Sequence, residues 1–241
     1  MITAGGTVEG TFAAAIGTPV KALAPWRDAT LLDAVLDACL GAGIDGIAVV
    51  GDATVRAHVA DRANVRVLDA AADGGANVLR ALDAWPGERI VYLTSDLPFI
   101  TAEGVRDVIV RSAPYALTMG IASVQAYAAS FPAAADHAVR LGAERVVNAC
   151  AFVIAPEAVV PLRAFATRFF AARKSLLRMA MLLGPLMTVR FALRQLDVAD
   201  LEAFAGRRLG VSVAAIRDAD PGLCYDVDAL KEYRYACARH V

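Results

Sequence analysis

Residues 90–96 read IVYLTSD. Five residues that favour extended structure follow one another without a charge, and the run ends at a serine and an aspartate. Such a pattern predicts a strand that is covered on both faces, as in a parallel sheet. Two further strand patterns, at residues 47–50 and 65–68, also end at polar residues, Gly51-Asp52 and Asp69. We therefore expect three strands whose carboxyl ends carry polar side chains.

Helical patterns separate these strands. Residues 30–42 and 75–84 carry apolar side chains at helical spacing, and a third helix is expected to begin at Thr101 with a hydroxyl cap. Alternating strands and helices imply right-handed crossovers. The predicted fold class is α/β, a three-layer Rossmann-like arrangement around a mainly parallel mixed sheet.

The second half of the chain follows a different pattern. Strands are predicted at residues 115–124, 146–154 and 209–216. Between the last two, residues 156–206 are predicted to be helical, with an interruption at Gly184-Pro185, and residues 229–239 form a closing helix. We expect residues 1–241 to form one domain, with a helical insertion at about residues 157–207.

Composition excludes several classes of protein. The formal charge of the 241 residues is −1, which gives no electrostatic reason to expect a nucleic-acid partner. Arginines and Gly184-Pro185 interrupt the most apolar stretch, residues 176–196, so no transmembrane segment is expected. None of the four cysteines forms a C-x-x-C pair, which argues against zinc. Cysteines among apolar residues (Cys39, Cys150, Cys237) and no signal peptide predict a cytoplasmic protein.

The N-terminal glycines are the first candidate for chemistry. Thr3-Ala4-Gly5-Gly6 follows a very short predicted strand, residues 1–3, and successive glycines let backbone N–H groups turn toward an anion. The alternative is a flexible terminus. Lys21 could neutralise a phosphate. Taken by itself it is better explained as a solvated surface lysine, but it is one of only three lysines in the chain, which hints at a specific requirement.

Three aspartates are the second candidate. Asp96 follows the strand at residues 90–94, and ligands of open α/β sheets collect at the carboxyl ends of the strands. A carboxylate there suits Mg²⁺; the alternative is a turn aspartate. Asp226 and Asp228 alternate on an extended segment, so we expect them to point to opposite sides, one toward the metal and one capping the last helix. Both could instead be helix caps.

Taken in order, these motifs resemble those of a known family. The set is similar to the molybdenum cofactor guanylyltransferase-like (MobA-like) branch of nucleotidyltransferases, whose fold is that of the nucleotide-diphospho-sugar transferases and other enzymes with the glycosyltransferase-A sheet. The matching segments cover most of the chain and are Ala4-Gly5-Gly6, Lys21-Ala22-Leu23, Thr30-Leu31-Leu32, Ser95-Asp96-Leu97-Pro98 and Asp226-Val227-Asp228.

The resemblance implies roles for individual residues. It implies Lys21 and Asp96 as catalytic residues, with Mg²⁺ held by Asp96 together with Asp226 or Asp228. It implies that Asn148 contacts the acceptor. The nucleotide site would comprise the amides of Ala4, Gly5, Gly6 and Thr7, with Lys21 and Ser95 nearby and Gly74, Gly75 and Asn77 beside the base and ribose.

The implied reaction moves a nucleoside monophosphate group from a nucleoside triphosphate to a small, phosphorylated acceptor and releases pyrophosphate. The sequence departs from the family pattern at residues 7–11, where no arginine follows the glycines, and at residues 229–232, which read ALKE. Two alternatives therefore stay open. One is a metal-dependent nucleotide-sugar glycosyltransferase, and the other is a nucleotide-binding protein without catalysis.

The helical region at residues 157–207 also has several interpretations. Arg173 and Lys174 could grip an acidic or phosphorylated group of the acceptor. The apolar stretch after them could form a homodimer surface or a surface for a lipid-linked acceptor. The remaining interpretation is a set of core helices with solvated basic ends.

Overall fold

The structure is a computed structural model that describes residues 1–71, 74–135, 137–172 and 184–239, together with residues 175, 178, 181 and 182. Its strands are β1 (Ile2–Thr3), β2 (Pro25–Trp26), β3 (Ala29–Thr30), β4 (Ile47–Gly51), β5 (Val65–Asp69), β6 (Ile90–Thr94), β7 (Leu117–Ser123), β8 (Val139–Leu141), β9 (Glu144–Ile154) and β10 (Val213–Ile216). Its α-helices are α1 (Gly10–Ile16), α2 (Leu31–Gly41), α3 (Ala53–His58), α4 (Gly74–Leu82), α5 (Ala102–Arg111), α6 (Val124–Ser130), α7 (Pro156–Ala172), α8 (Pro185–Ala192), α9 (Val198–Leu209) and α10 (Leu230–Ala238).

The main sheet runs in the order β10-β7-β9-β6-β1-β4-β5, with β8 paired to β9. Strand β1 lies parallel to both β4 and β6, β4 is parallel to β5, and β7 is parallel to β10. Strand β9 is antiparallel to β6, β7 and β8. The predicted α/β class with a mainly parallel mixed sheet is confirmed.

The three strands predicted first are observed as β4, β5 and β6. All five residues of β4 are buried, as expected for a strand with layers on both faces. The largest cluster of buried apolar residues includes Val49 of β4 and Leu93 of β6, whereas a second cluster includes Ala48 and Ile90 of the same strands. Neighbouring residues of one strand point to opposite faces, so the sheet is covered on both sides.

Side-chain caps begin several helices where the sequence predicts them. The Thr101 hydroxyl accepts a hydrogen bond from the Gly104 amide at 2.9 Å. Thr30 and Asp33 form a capping box at the start of α2. Burial would raise the pKa of Asp33, but hydrogen bonds from Thr30 and His58 and the charges of His58 and Arg62 outweigh it and lower that pKa.

The second half differs from the prediction at several points, including a helix, α6, and a strand, β8, that the sequence pattern did not predict. The strand predicted at residues 209–216 begins only at Val213, because Leu209 still belongs to α9, which Gly210 ends in a left-handed conformation. The helical stretch is broken a second time, at residues 193–197, where Asp197 caps α9. The interpretation as one domain with an insertion stays a prediction. Among the described residues, no helix is both long and apolar enough to cross a membrane.

Candidate functional site

The glycine loop continues directly from β1 at the centre of the sheet. The Ala4 amide donates to the Val50 carbonyl at 2.7 Å, so it fixes the loop to β4 and has no hydrogen left for a ligand. The amides of Gly5, Gly6 and Thr7 donate to no acceptor within the described part of the chain. Three consecutive amides are thus available at the carboxyl end of β1, an arrangement that can bind an anion.

Close packing explains why the loop contains Gly5. A Cβ at Gly5 would lie 2.9 Å from Nδ2 of Asn77, a buried residue of α4. The Asn77 side chain cannot easily move away, because its Oδ1 accepts a hydrogen bond from the Ala71 amide at 2.6 Å. Gly5 and Asn77, predicted separately, are therefore direct neighbours.

Helix α4 points its first turn toward the same region. Gly74 and Gly75 are its first two residues, and α4 packs against β1 and β4. The N-terminal amides of a helix carry partial positive charge, which favours an anion nearby. Ser95, also predicted for the nucleotide site, is buried at the end of β6, beside β1.

Lys21 links the loop to the aspartates. Its amide donates to the Gly6 carbonyl at 3.0 Å, which holds the start of the 3₁₀ turn at Lys21–Leu23 against the loop. Its ammonium forms an ion pair with Asp96 and lies 3.2 Å from Oδ1 of Asp228. Burial alone would lower the pKa of Lys21, but the charges and hydrogen bonds of Asp96 and Asp228 outweigh it and raise that pKa. Lys21 is therefore a cation at neutral pH.

The three aspartates form one cluster. Asp96, Asp226 and Asp228 each contribute a carboxylate oxygen, and these oxygens lie within 4.8 Å of one another. The expectation that Asp226 and Asp228 point to opposite sides is wrong, since residues 225–228 form no regular strand and alternation does not apply. The Val227 amide instead donates to the Asp96 carbonyl at 3.0 Å and holds the segment against the end of β6.

Neither of these aspartates caps the last helix. The side chain that contacts the start of α10 is that of Glu232, which accepts a hydrogen bond from the Ala229 amide at 2.8 Å. Both carboxylates are consequently left for the cluster with Asp96.

The cluster has the chemistry of a divalent cation site. Oδ1 of Asp96 is buried and has no hydrogen-bond partner among the described residues. Burial raises the pKa of Asp226 to about 6, and the charges of Asp228 and Asp96 add to this rise while Lys21 opposes it. A bound cation would satisfy the Asp96 oxygen and offset the repulsion among the carboxylates. Oxygen-only ligands are those that hard cations such as Mg²⁺ prefer.

Asn148 lies on β9, next to β7, with an exposed side chain. Cys150 follows two residues farther along β9, in the stretch where the pairing of β9 with β7 shifts register. Burial raises the pKa of the Cys150 thiol well above its ordinary value, and the charges of Asp226, Asp96 and Asp228 raise it further. Cys150 is thus a neighbour of the carboxylates, although the sequence predicts only a small buried hydrophobe. No local pattern in the sequence indicates this position of Cys150, because it depends on the pairing of β9 with β6.

The remaining predicted acceptor residues, Arg173 and Lys174, lie outside the described residues. Asn148 is thus the predicted acceptor contact whose position is known. It belongs to a strand that pairs with β6, and Asp96 follows the end of β6 by two residues.

Comparison with known proteins identifies the family. The profile of the MobA-like NTP transferase domain matches residues 2–178, which includes the loop, Lys21, Asp96 and Asn148. The chain belongs to this family. MobA-like NTP transferases are nucleotidyltransferases, and the predicted family and enzyme class are confirmed. No curated protein matches the sequence.

Solved structures share the fold over nearly the whole chain. A hypothetical transferase from Thermus thermophilus is 27% identical, with a TM-score of 0.83 over 96% of this chain and 97% of that one. A nucleotidyl transferase from Methanothermobacter is 17% identical, with a TM-score of 0.55 over 97% and 92%. The 2-C-methyl-D-erythritol 4-phosphate cytidylyltransferase of Thermus thermophilus is 15% identical, with a TM-score of 0.53 over 92% and 94%.

Proposed function

We propose that this protein is a Mg²⁺-dependent nucleotidyltransferase that moves a nucleoside monophosphate group from a nucleoside triphosphate to a small, phosphorylated acceptor. The observation that carries the proposal is the convergence of unlike groups at one edge of the sheet. Three available amides, one lysine and three aspartates meet where β1 and β6 end. Phosphate oxygens need the amides and the lysine, and a cation that bridges phosphates needs the carboxylates.

The glycine loop binds the triphosphate in this proposal. The amides of Gly5, Gly6 and Thr7 donate to phosphate oxygens, and the first turn of α4 adds a favourable dipole. Asn77, fixed between the loop and Ala71, borders the ribose and base together with Gly74 and Gly75. Because these groups are held by backbone contacts before the nucleotide arrives, little order has to be created on binding.

Lys21 stabilises the charge that grows on the α-phosphate. Its backbone is tied to Gly6, so its side chain extends between the loop and the carboxylates. In the free protein the ammonium is shared by Asp96 and Asp228. When the triphosphate binds, Lys21 exchanges one of these partners for an α-phosphate oxygen. The charged partners that surround it keep it protonated throughout.

Asp96, Asp226 and Asp228 hold the metal. Asp96 offers the buried, unpartnered Oδ1, and Asp226 and Asp228 close the cluster from the C-terminal segment. Mg²⁺ held by these residues would supply a Lewis acid that neutralises phosphate charge. The chain's own contribution is to keep the carboxylates converged, through the hydrogen bond from Val227 to the Asp96 carbonyl.

The acceptor approaches along β9. Asn148 is exposed there and can donate or accept a hydrogen bond. Cys150, two residues farther along β9, is a neighbour of the carboxylates. An acceptor phosphate is already ionised at neutral pH, so its oxygen can attack the α-phosphorus without a general base from the protein. Positioning and charge stabilisation then provide most of the rate enhancement.

A ligand panel followed by product analysis tests this function. Thermal unfolding is measured with each of the four nucleoside triphosphates, with and without Mg²⁺, since a ligand of the native state raises its stability. The preferred triphosphate is then incubated with phosphorylated small molecules, and released pyrophosphate is quantified. We expect pyrophosphate and a nucleoside diphosphate-linked product that depend on Mg²⁺.

Each competing function gives a different result. Release of a nucleoside diphosphate from a nucleotide sugar would establish the glycosyltransferase instead. Stabilisation by a triphosphate without pyrophosphate release across the acceptor panel would establish a binding protein without catalysis. Stabilisation by no triphosphate at any Mg²⁺ concentration would refute the nucleotide site itself.

A further inference from the structure

Helix α8 has an unusual solvent face. Leu186 and Val189 of α8 are 71% and 53% exposed, and Leu193, which directly follows the helix, is 60% exposed. Their spacing of three and four residues puts them on one stripe. The residue of α8 that is buried is Met187, on a different side of the helix. The helix thus turns an apolar stripe outward, the reverse of an ordinary surface helix.

Other exposed apolar residues belong to the same part of the chain. Phe191 is 51% exposed, Met181 66% and Val160 76%. We call the stripe of Leu186, Val189 and Leu193 the apolar patch. A contiguous exposed apolar stripe marks an interaction site more often than isolated apolar residues do.

The charge around the apolar patch is of one sign. Residues 158–196 contain seven basic residues and no acidic residue, a formal charge of +7 in a chain whose total is −1. Two of the seven, Arg163 and Arg190, are paired with aspartates from other parts of the chain. Arg168, Arg178 and Arg194 are exposed, and within the described ranges none of them forms an ion pair. These three arginines are therefore uncompensated cations in the described part of the same stretch of sequence, and Arg194 directly follows Leu193 of the apolar patch.

We infer that this face binds the surface of a bilayer that contains anionic phospholipid, with the apolar patch in the interface and the arginines at the lipid phosphates. A helix with an apolar stripe and basic flanks, lying in the plane of the interface, has the required chemistry. The length of α8, eight residues, suits such an interfacial position and is too short to cross the membrane. This inference is independent of the proposed function.

Charge argues against a second copy of the chain as the occupant. An isologous dimer through this face would bring two copies of the stretch at residues 158–196 together, each with Arg168, Arg178 and Arg194, which are unpaired among the described residues. Like charges brought into contact oppose association, whereas an anionic bilayer attracts them and also accepts the apolar side chains. An anionic bilayer therefore accommodates both the apolar side chains and the positive charge of the face, whereas a homodimer would accommodate only the apolar side chains.

Vesicle flotation tests the inference without any need for turnover. The full chain is mixed with vesicles of phosphatidylcholine alone or of phosphatidylcholine with phosphatidylglycerol. We expect it to float with the anionic vesicles only, and binding to weaken as salt is raised. The triple variant L186S/V189S/L193S is expected to lose flotation, because its serines cannot enter the interface. Since these side chains face solvent, its melting temperature should match that of the wild type.

Arginine variants test the electrostatic part. R178Q/R194Q is expected to weaken partitioning about 25-fold, at roughly fivefold for each arginine near an anionic surface. The matched controls are V110S, a 65% exposed valine on α5, and R234Q, an exposed arginine on α10; both are expected to float like the wild type.

Several outcomes would overturn the inference. Equal flotation with neutral vesicles, no flotation with either kind, or flotation that survives the triple variant would each exclude this face as an anionic-lipid surface. A dimer in light scattering that the triple variant converts to a monomer, without vesicle binding, would assign the face to a second copy. Capture of an acidic protein partner without vesicle binding would likewise assign it to that partner.

Discussion

Replacement of Gly5 by alanine is a sharp test of how the loop is built. Gly5 and Gly6 are adjacent and neither has a positive φ, so alanine is compatible with the backbone at both positions. The two sites differ in what a methyl group would meet. At Gly5 it would lie 2.9 Å from Asn77 Nδ2, whereas at Gly6 its nearest neighbour is Lys21 Cε at 3.6 Å, an ordinary contact.

The expected stabilities follow from these contacts. Overpacking against a fixed, buried side chain costs about 1–3 kcal/mol. Alanine recovers roughly 0.4–1 kcal/mol by restricting the unfolded chain. At the midpoints of these ranges Gly5→Ala should lose about 1.3 kcal/mol, which at this chain length corresponds to a fall of roughly 3–5 °C in melting temperature. Gly6→Ala should unfold at the wild-type temperature or slightly above it.

The assay is thermal unfolding of both variants, without nucleotide, in parallel with urea midpoints. A double-mutant cycle with Asn77→Ala isolates the contact, because the cost of Gly5→Ala should shrink once the asparagine is gone. Equal melting temperatures for the two alanine variants would refute the reasoning. So would a Gly5→Ala cost that is the same with and without Asn77.

Three further predictions concern the carboxylates and the C-terminal turn. Asp96→Asn should lower kcat by roughly 10²–10³-fold in the pyrophosphate assay, as the loss of other electrostatic groups does. The control is Asp45→Asn, at an exposed position, which should keep the wild-type rate. An Asp96→Asn rate equal to that of the wild type would remove Asp96 from the site. Because the pKa of Asp33 is lower in the folded protein than in the unfolded chain, the ionised carboxylate stabilises the fold at pH values above its unfolded-state pKa of about 3.9. That contribution is lost as the pH falls through the folded-state pKa. Urea midpoints of wild type and Asp33→Asn should therefore differ at pH 7 and converge below about pH 4; a gap that widens in acid would contradict this. Gly222→Ala should cost at least about 2 kcal/mol in urea unfolding, because its Cβ would overlap the Phe99 carbonyl; a wild-type midpoint would show that this turn relaxes freely.

Local patterns in the sequence were enough for the fold class. The apolar runs at residues 47–50, 65–68 and 90–94 form three parallel strands. Thr30 and Thr101 are the N-caps of α2 and α5, the helices that begin directly after them. These features depend on the period of apolar residues and on cap chemistry, which are properties of neighbouring residues. The same patterns could not reveal the antiparallel direction of β9, because pairing joins segments that are distant in sequence.

In the candidate site, too, local patterns predict single residues, whereas contacts between distant segments decide their arrangement. Individual candidates, such as Asp96 after its strand and the glycines after residues 1–3, could be selected from position alone. Their mutual arrangement could not. That Asp226 and Asp228 converge depends on the hydrogen bond between Val227 and Asp96, more than a hundred residues apart. Strand alternation gave the wrong expectation there, since the segment is irregular.

The sequence by itself therefore determined the class of fold, the order of its motifs and the residues capable of phosphate and metal chemistry, because these depend on composition and local spacing. The tertiary structure alone decided that the Ala4 amide is used by Val50, that Gly5 is required by Asn77, and that Cys150 lies beside the carboxylates. Each of these depends on contacts between separate strands and helices, and only packing brings those elements together.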